Sequence, residues 1–270
     1  MTGLIEHQTH GLTWVERPGN GPTLVLLHGI GSNATSFKPL LAHLPVSARV
    51  VAWNAPGYCG SVPLPQDWPV AQDYAAALGQ LVDNLGIQTF ALLGHSLGAL
   101  VGAAYAANHA DRVSRLWLAS PALGHGVPQG GQLSIAAKTR IDDLSRLGAE
   151  GFAEARASNL LHAPEDYPEV LALVRKAMAR VTLPGYAQAA RMLASGRLLD
   201  DAERLAVPTD VIVGAMDCVT PPEGARRVYE ILHTTARGQF TELPFAGHAI
   251  YQQSPRRFAE AMHAVATSVA

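Results

Sequence analysis

Cysteine is scarce: the 270-residue chain has two, Cys59 and Cys218, far apart and without metal-type spacing. That excludes a disulfide scaffold, and both read as free thiols in a reducing compartment. An excess of one charge is missing too. Lys and Arg number 20 against 22 Asp and Glu, a formal net charge of -2, without long runs of either sign. The chain therefore shows no electrostatic footprint for nucleic acid or an anionic membrane, and a small-molecule partner is expected instead. No stretch approaches the roughly 18 apolar residues of a membrane span. The opening MTGLIEHQTHGLTWVERPG lacks the basic region and apolar core of a leader. The expectation is a soluble, cytoplasmic protein; the oligomeric state stays open, because an exposed apolar patch is not recognisable from sequence.

What the chain does have is a composition for packing. Hydrophobic residues make up 48% and charged residues 16%, too apolar for a disordered chain and enough for one main core. Near-continuous apolar runs recur: TLVLLH (23–28), ARVVAWN (48–54), TFALLGH (89–95), VSRLWLAS (113–120) and DVIVG (210–214). Runs without alternation suit parallel strands covered on both faces. Helical patterns separate most of them; DWPVAQDYAAALGQLVDNLG (67–86) spaces Ala76, Leu78, Leu81, Val82 and Leu85 by three and four residues, predicting a buried helical face. Around residues 125–205 the alternation stops. That stretch is Ala- and Leu-rich, and PEDYPEVLALVRKAMARV (164–181) reads as a helix with acids early and bases late. It reads as an inserted helical module between core segments 1–124 and 206–270. A helix started by Thr220, Pro221 and Pro222, a strand in QFTELP and a last helix at SPRRF complete the α/β pattern.

The most informative stretch is LLGHSLGAL (92–100). A serine on a tight strand-to-helix turn needs neighbours without a Cβ, and Gly94 and Gly98 meet that need. Composition alone yields such a pentapeptide in about one chain of this length in ten. Its place after an apolar run and before a helix is the context the chemistry demands, so Ser96 is the candidate nucleophile.

A serine hydroxyl needs a base to take its proton and an acid to orient that base. Of eleven histidines, those at 7, 10, 43, 109, 162, 233 and 263 fall in expected loops or on helix surfaces. His28 and His95 sit at strand ends, where a structural hydrogen bond is expected, and His125 lies just past a strand end as a pocket candidate. His248, in LPFAGHAI, follows the last strand with a small residue on each side and is the candidate base. Asp217, in the loop of VIVGAMDCVTPP, lies at the matching edge; Asp210 starts that strand at the wrong end, and Glu242 falls within the final strand. The turn in LLHGIGS (26–32) offers the amide of Ile30, and the helix start that of Leu97, as paired donors to a developing oxyanion. The same turn lacks the Lys and spacing of a phosphate loop.

Ser96, Asp217, His248 is the chain order of the α/β-hydrolase family, which the sequence resembles over nearly its full length. HGIG resembles the family's oxyanion loop, GHSLG its nucleophile elbow, GAMDCVTPP its acid loop, AGH its histidine loop, and WNAPGYCGS (53–61) its segment after an early strand, with Cys59 as a departure. The resemblance implies a mostly parallel eight-stranded sheet with helices on both faces and residues 125–205 as a helical cap. A cap arginine such as Arg191 then becomes a candidate to hold a substrate carboxylate, against the plainer reading of a solvated surface side chain. It further implies a serine hydrolase of small esters or lactones, needing no metal or organic cofactor. Serine at position 96 argues against the relatives that attack with aspartate. Carbon–carbon bond hydrolases often carry Asn and Met where this chain has His95 and Leu97. Those hydrolases and the cofactor-free perhydrolases, oxygenases and lyases stay as alternatives, as does a receptor that kept the pocket and lost turnover.

Overall fold

A computed structural model describes residues 4–262; His263 lies outside them. Eight strands form one sheet: β1 (Ile5–Thr9), β2 (Leu12–Arg17), β3 (Thr23–Leu27), β4 (Arg49–Asn54), β5 (Phe90–His95), β6 (Val113–Ala119), β7 (Thr209–Gly214) and β8 (Arg237–Leu243). Their spatial order is β1-β2-β4-β3-β5-β6-β7-β8. β2 runs antiparallel to β1 and β4, and every other neighbour is parallel. The ten helices are α1 (Lys38–Leu41), α2 (Ala71–Asn84), α3 (Leu97–Asn108), α4 (Ile135–Arg156), α5 (Pro168–Met178), α6 (Gly185–Ser195), α7 (Leu198–Glu203), α8 (Pro222–Ile231), α9 (Ile250–Gln253) and α10 (Pro255–Ala261) among the described residues.

The unbroken apolar runs have a direct structural cause. In β3, Val25 and Leu27 join a core shared with α2, α3 and α8, while Leu24 and Leu26 join a second core shared with α1, α9 and α10. Successive side chains point to opposite faces, so a strand covered on both sides needs apolar residues at every position. β1 and β2 pair as a hairpin turned by His10 and Gly11, both at positive φ. β1 is an outer strand that is mostly exposed and largely polar, and it gives no such run. His7 therefore lies in β1, stacked on Trp14 at 5.2 Å, and not in a loop.

Two helix expectations need correction. Ala76 of α2 faces solvent, and the buried face is completed by Tyr74, Ala75 and Ala77 beside Leu78, Leu81 and Val82. The 164–181 stretch divides: Pro164–Asp166 forms a single 3-10 turn and α5 starts only at Pro168, where a proline costs no hydrogen bond. Between β6 and β7, helices α4 to α7 interrupt the alternation. α4 breaks at Gly148 (φ 66, ψ 173), and its halves meet again where Arg156 Nη2 donates to Asp143 Oδ2 at 2.8 Å.

Candidate active site

The turn from β5 into α3 holds Ser96 at φ 54, ψ -114, a conformation that costs a non-glycine residue about 1–3 kcal/mol and persists only where packing imposes it. Packing does so here. A Cβ on Gly94 would run into the carbonyl of Gly98, and one on Gly98 into the carbonyl of Leu27. The backbone is anchored by Ser96 N donating to Ala119 O at 2.9 Å, which leaves Oγ at the carboxyl edge of the sheet.

Asp217 follows β7 and His248 follows β8, so both loops leave the same edge. They are stitched together by Ala215 N to Leu243 O (2.9 Å) and Met216 N to Ala246 O (3.0 Å). His248 Nε2 lies 3.0 Å from Ser96 Oγ, and Nδ1 lies 2.9 Å from Asp217 Oδ2. All three residues are buried. With Nδ1–H donating to the carboxylate, the free lone pair on Nε2 accepts from the serine hydroxyl.

Burial by itself raises the Asp217 carboxyl, yet the hydrogen bond and charge of His248, with the Thr220 amide, outweigh it and hold the group at about 2. Its Oδ1 accepts from the amides of Val219 (2.8 Å) and Thr220 (2.9 Å). The Thr220 hydroxyl sits 2.9 Å from Asp217 Oδ2, 3.0 Å from Ser120 O and 3.1 Å from His248 Nδ1. In the sequence Thr220 reads only as a helix start; its position three residues after a loop aspartate, where it closes the turn around that carboxylate, is the signal of this further role.

His28 and His95 brace this edge from inside. His28 Nδ1 donates to Gly29 O (2.8 Å) while Nε2 accepts from Ala55 N (3.0 Å), and His95 Nε2 donates to His248 O (2.9 Å). Gly29 O also accepts from Ser32 N at 3.1 Å. Because a trans peptide sets N–H opposite to C=O, holding the Gly29 carbonyl turns the Ile30 amide the other way. Leu97 opens α3, so its amide has no intrahelical acceptor.

Burial drives both imidazoles toward the neutral form, His28 to about 4 and His95, with His248 beside it, to about 3, against 6.5 when exposed. Below pH 6.5 the unfolded chain takes up two protons that the folded chain refuses. Stability is therefore full above that pH and is lost as pH falls toward the folded values, at about 2–3 kcal/mol per pH unit between roughly pH 6 and 4. Urea midpoints measured at pH 7 and pH 5 check this; equal midpoints would contradict it.

Ser96 and His248 open on a cavity of about 650 Å³ whose wall includes Ile30, His125, Phe152, Met178, Tyr186 and Leu193, with Asp217 behind the imidazole. His125 is thus at the cavity. Arg191 is not. Its Nη1 bonds the carboxylate (2.9 Å) and the carbonyl (3.0 Å) of Asp67, because α6 turns Tyr186 and Leu193 inward and Arg191 outward, where it latches α6 to the loop before α2. Two other arginines, Arg140 and Arg156 of α4, line the cavity instead. Sixteen positions apart on one straight helix they would lie far from each other; the break at Gly148 is the signal that they need not. Cys218 also lines the cavity, and both cysteines are free thiols. Asp210 is far from this chemistry, paired with Arg115 at 2.6 Å, and Glu242 lies in β8 against Arg226. No described helix is long and apolar enough to cross a membrane.

The chain is similar to known proteins in sequence and in fold. The protein named "Putative carbamate hydrolase RutD" of Shigella flexneri is 29% identical over 251 residues, spanning 88% of this chain and 89% of that protein. Among solved structures, the enol-lactonase from Burkholderia xenovorans LB400 superposes with a TM-score of 0.84 at 25% identity, over 98% of this chain and all of that one. A thermophilic esterase from Thermogutta terrifontis gives 0.82 at 25% identity over 99% of both chains. The sequence pattern shared by the alpha/beta hydrolase family matches residues 24–261. A mostly parallel eight-stranded sheet, a strained serine turn after β5 and a match along nearly the whole chain lead to one assignment: the chain belongs to the alpha/beta hydrolase family.

Proposed function

We propose that this hydrolase cleaves a small carboxylic ester or lactone through an acyl-enzyme formed on Ser96, with residues 125–205 acting as a cap over the reaction. The observation that carries the reading is the continuous hydrogen-bonded line from Ser96 Oγ through His248 to Asp217 at the base of the cavity. Ser96 Oγ attacks the carbonyl carbon as its proton passes to His248 Nε2. The carbonyl oxygen, now negative, is held by the amides of Ile30 and Leu97. His248 returns the proton to the departing alkoxide, the alcohol leaves, and the acyl group stays on Ser96. Water, deprotonated by the same imidazole, then releases the acid and restores the hydroxyl. Asp217 stays ionised throughout and stabilises the imidazolium.

A carbamate is the second reading, favoured by the name of the relative at 29% identity; it would use the same acyl chemistry with a nitrogen leaving group. One assay separates the possibilities. Short-chain esters, lactones, carbamates and vinylogous diketones are incubated side by side in 18O-labelled water. The expected result is fastest turnover of an ester or lactone, with one solvent oxygen in the released acid. Preferred cleavage of the diketone, or product without solvent oxygen, would overturn the reading in favour of carbon–carbon hydrolysis or a non-hydrolytic reaction.

A further inference from the structure

The chain as a whole is slightly acidic, at -2, yet the wall of the cavity at Ser96 carries two guanidinium groups, Arg140 and Arg156, and no Asp, Glu or Lys among the described residues. Arg156 is half-buried, rests its guanidinium 5.1 Å from the ring centre of Phe152 and donates one N–H to Asp143, a carboxylate it shares with Arg146. Arg140 is half-buried and has no ionic or hydrogen-bonding partner among the described residues. The Phe152 ring that Arg156 covers also meets the ring of Tyr186 at 5.2 Å, so Arg156 and Tyr186 stand on either side of one aromatic ring, and Arg140 lines the same cavity; burial raises the pKa of the Tyr186 phenol and the charges of Arg140 and Arg156 pull it back. An unmatched cation facing a mostly apolar cavity gains from an anion that enters with the ligand.

We infer that the arginine-bearing wall of this cavity is a carboxylate subsite, and that the substrate of the reaction proposed above is a half-ester or lactone bearing a second carboxylate remote from the carbonyl that Ser96 attacks. The inference rests on the ester or lactone reading for its chemistry, but the subsite itself is a matter of binding alone. Arg140 offers a two-pronged fork to a planar anion, Arg156 presents its remaining N–H groups, and the Tyr186 hydroxyl adds a neutral donor. The apolar side chains of the same wall, Phe152, Met178 and Leu193 among them, suit the methylene chain that separates the two acyl groups.

Two measurements test it. In kinetics, monomethyl adipate is compared with methyl hexanoate, a neutral ester of the same length. The expected wild-type kcat/KM is at least about tenfold higher for the anionic ester. Arg140→Gln should lower that ratio at least about tenfold and Arg140→Lys by less, because the ammonium keeps the charge and loses the fork. A ratio near one in the wild type, or one that Arg140→Gln leaves unchanged, overturns the subsite. In binding, adipate is titrated calorimetrically into wild type and Arg140→Gln, with thermal melts confirming that both are folded. Heat of binding in the wild type that disappears in the variant supports the subsite even if neither ester is hydrolysed, in which case the hydrolase reading falls and the subsite stands. Hydrolysis of methyl hexanoate together with no adipate binding keeps that reading and overturns the subsite.

Discussion

Ser96→Ala is expected to fold as the wild type does and to hydrolyse a short-chain aryl ester at least about a thousandfold more slowly. Ser96 Oγ makes one hydrogen bond in the described structure, to His248 Nε2, so its removal leaves a single acceptor unpaired at a cavity surface. The Ile30 and Leu97 amides and the cavity remain, which is why the loss falls in kcat and some acceleration over water persists. The fold does not depend on the hydroxyl: the turn is imposed by Gly94, Gly98 and the Ser96 N to Ala119 O bond, none of which the substitution touches. Thermal melts and initial rates on one preparation check both halves of the expectation, and near-normal turnover would remove Ser96 from the chemistry.

The second large effect is expected at Asp217→Asn, with kcat falling by about 10³–10⁴ and KM nearly unchanged. Asn is the same size and keeps the oxygen that accepts from Val219 N and Thr220 N, so the loop stays in place. Its amide nitrogen, however, replaces the oxygen that faces His248 Nδ1 at 2.9 Å. Two donors cannot share that bond. The imidazole must then carry its proton on Nε2, where it no longer accepts one from Ser96. The carboxyl is held at about 2, so it stays ionised across the neutral and mildly acidic range, and stopped-flow rates measured from pH 5 to 9 should show the variant slower throughout.

The parts of this molecule that are legible in sequence are those set by local rules. A strand buried on both faces requires apolar residues at each position, and β3 to β7 stand out for that reason. A turn that crowds its backbone requires glycine, which exposes the loop of Ser96. Asp217 and His248 are legible because they follow strands whose carboxyl ends share an edge. What fails is set by tertiary context. β1 carries His7 and a mostly exposed face, and its pairing with β2 replaces the continuous pattern. Ala76 has the right spacing and the wrong side of α2, since alanine is equally at home in water and core. Arg191 and Arg140 are chemically identical; Asp67 occupies the first, and the kink at Gly148 helps bring the second to the cavity. Nothing in composition or spacing distinguishes them.

The central claim is that one hydroxyl, made nucleophilic by its neighbours, carries the acyl group. Treating the wild-type protein with a fluorophosphonate and locating the adduct by peptide mass spectrometry tests it most directly. The expected result is one adduct per chain on Ser96, with labelling slowed in Asp217→Asn. An unlabelled Ser96, or an adduct that maps to Cys218 or another side chain at the same cavity, would contradict it.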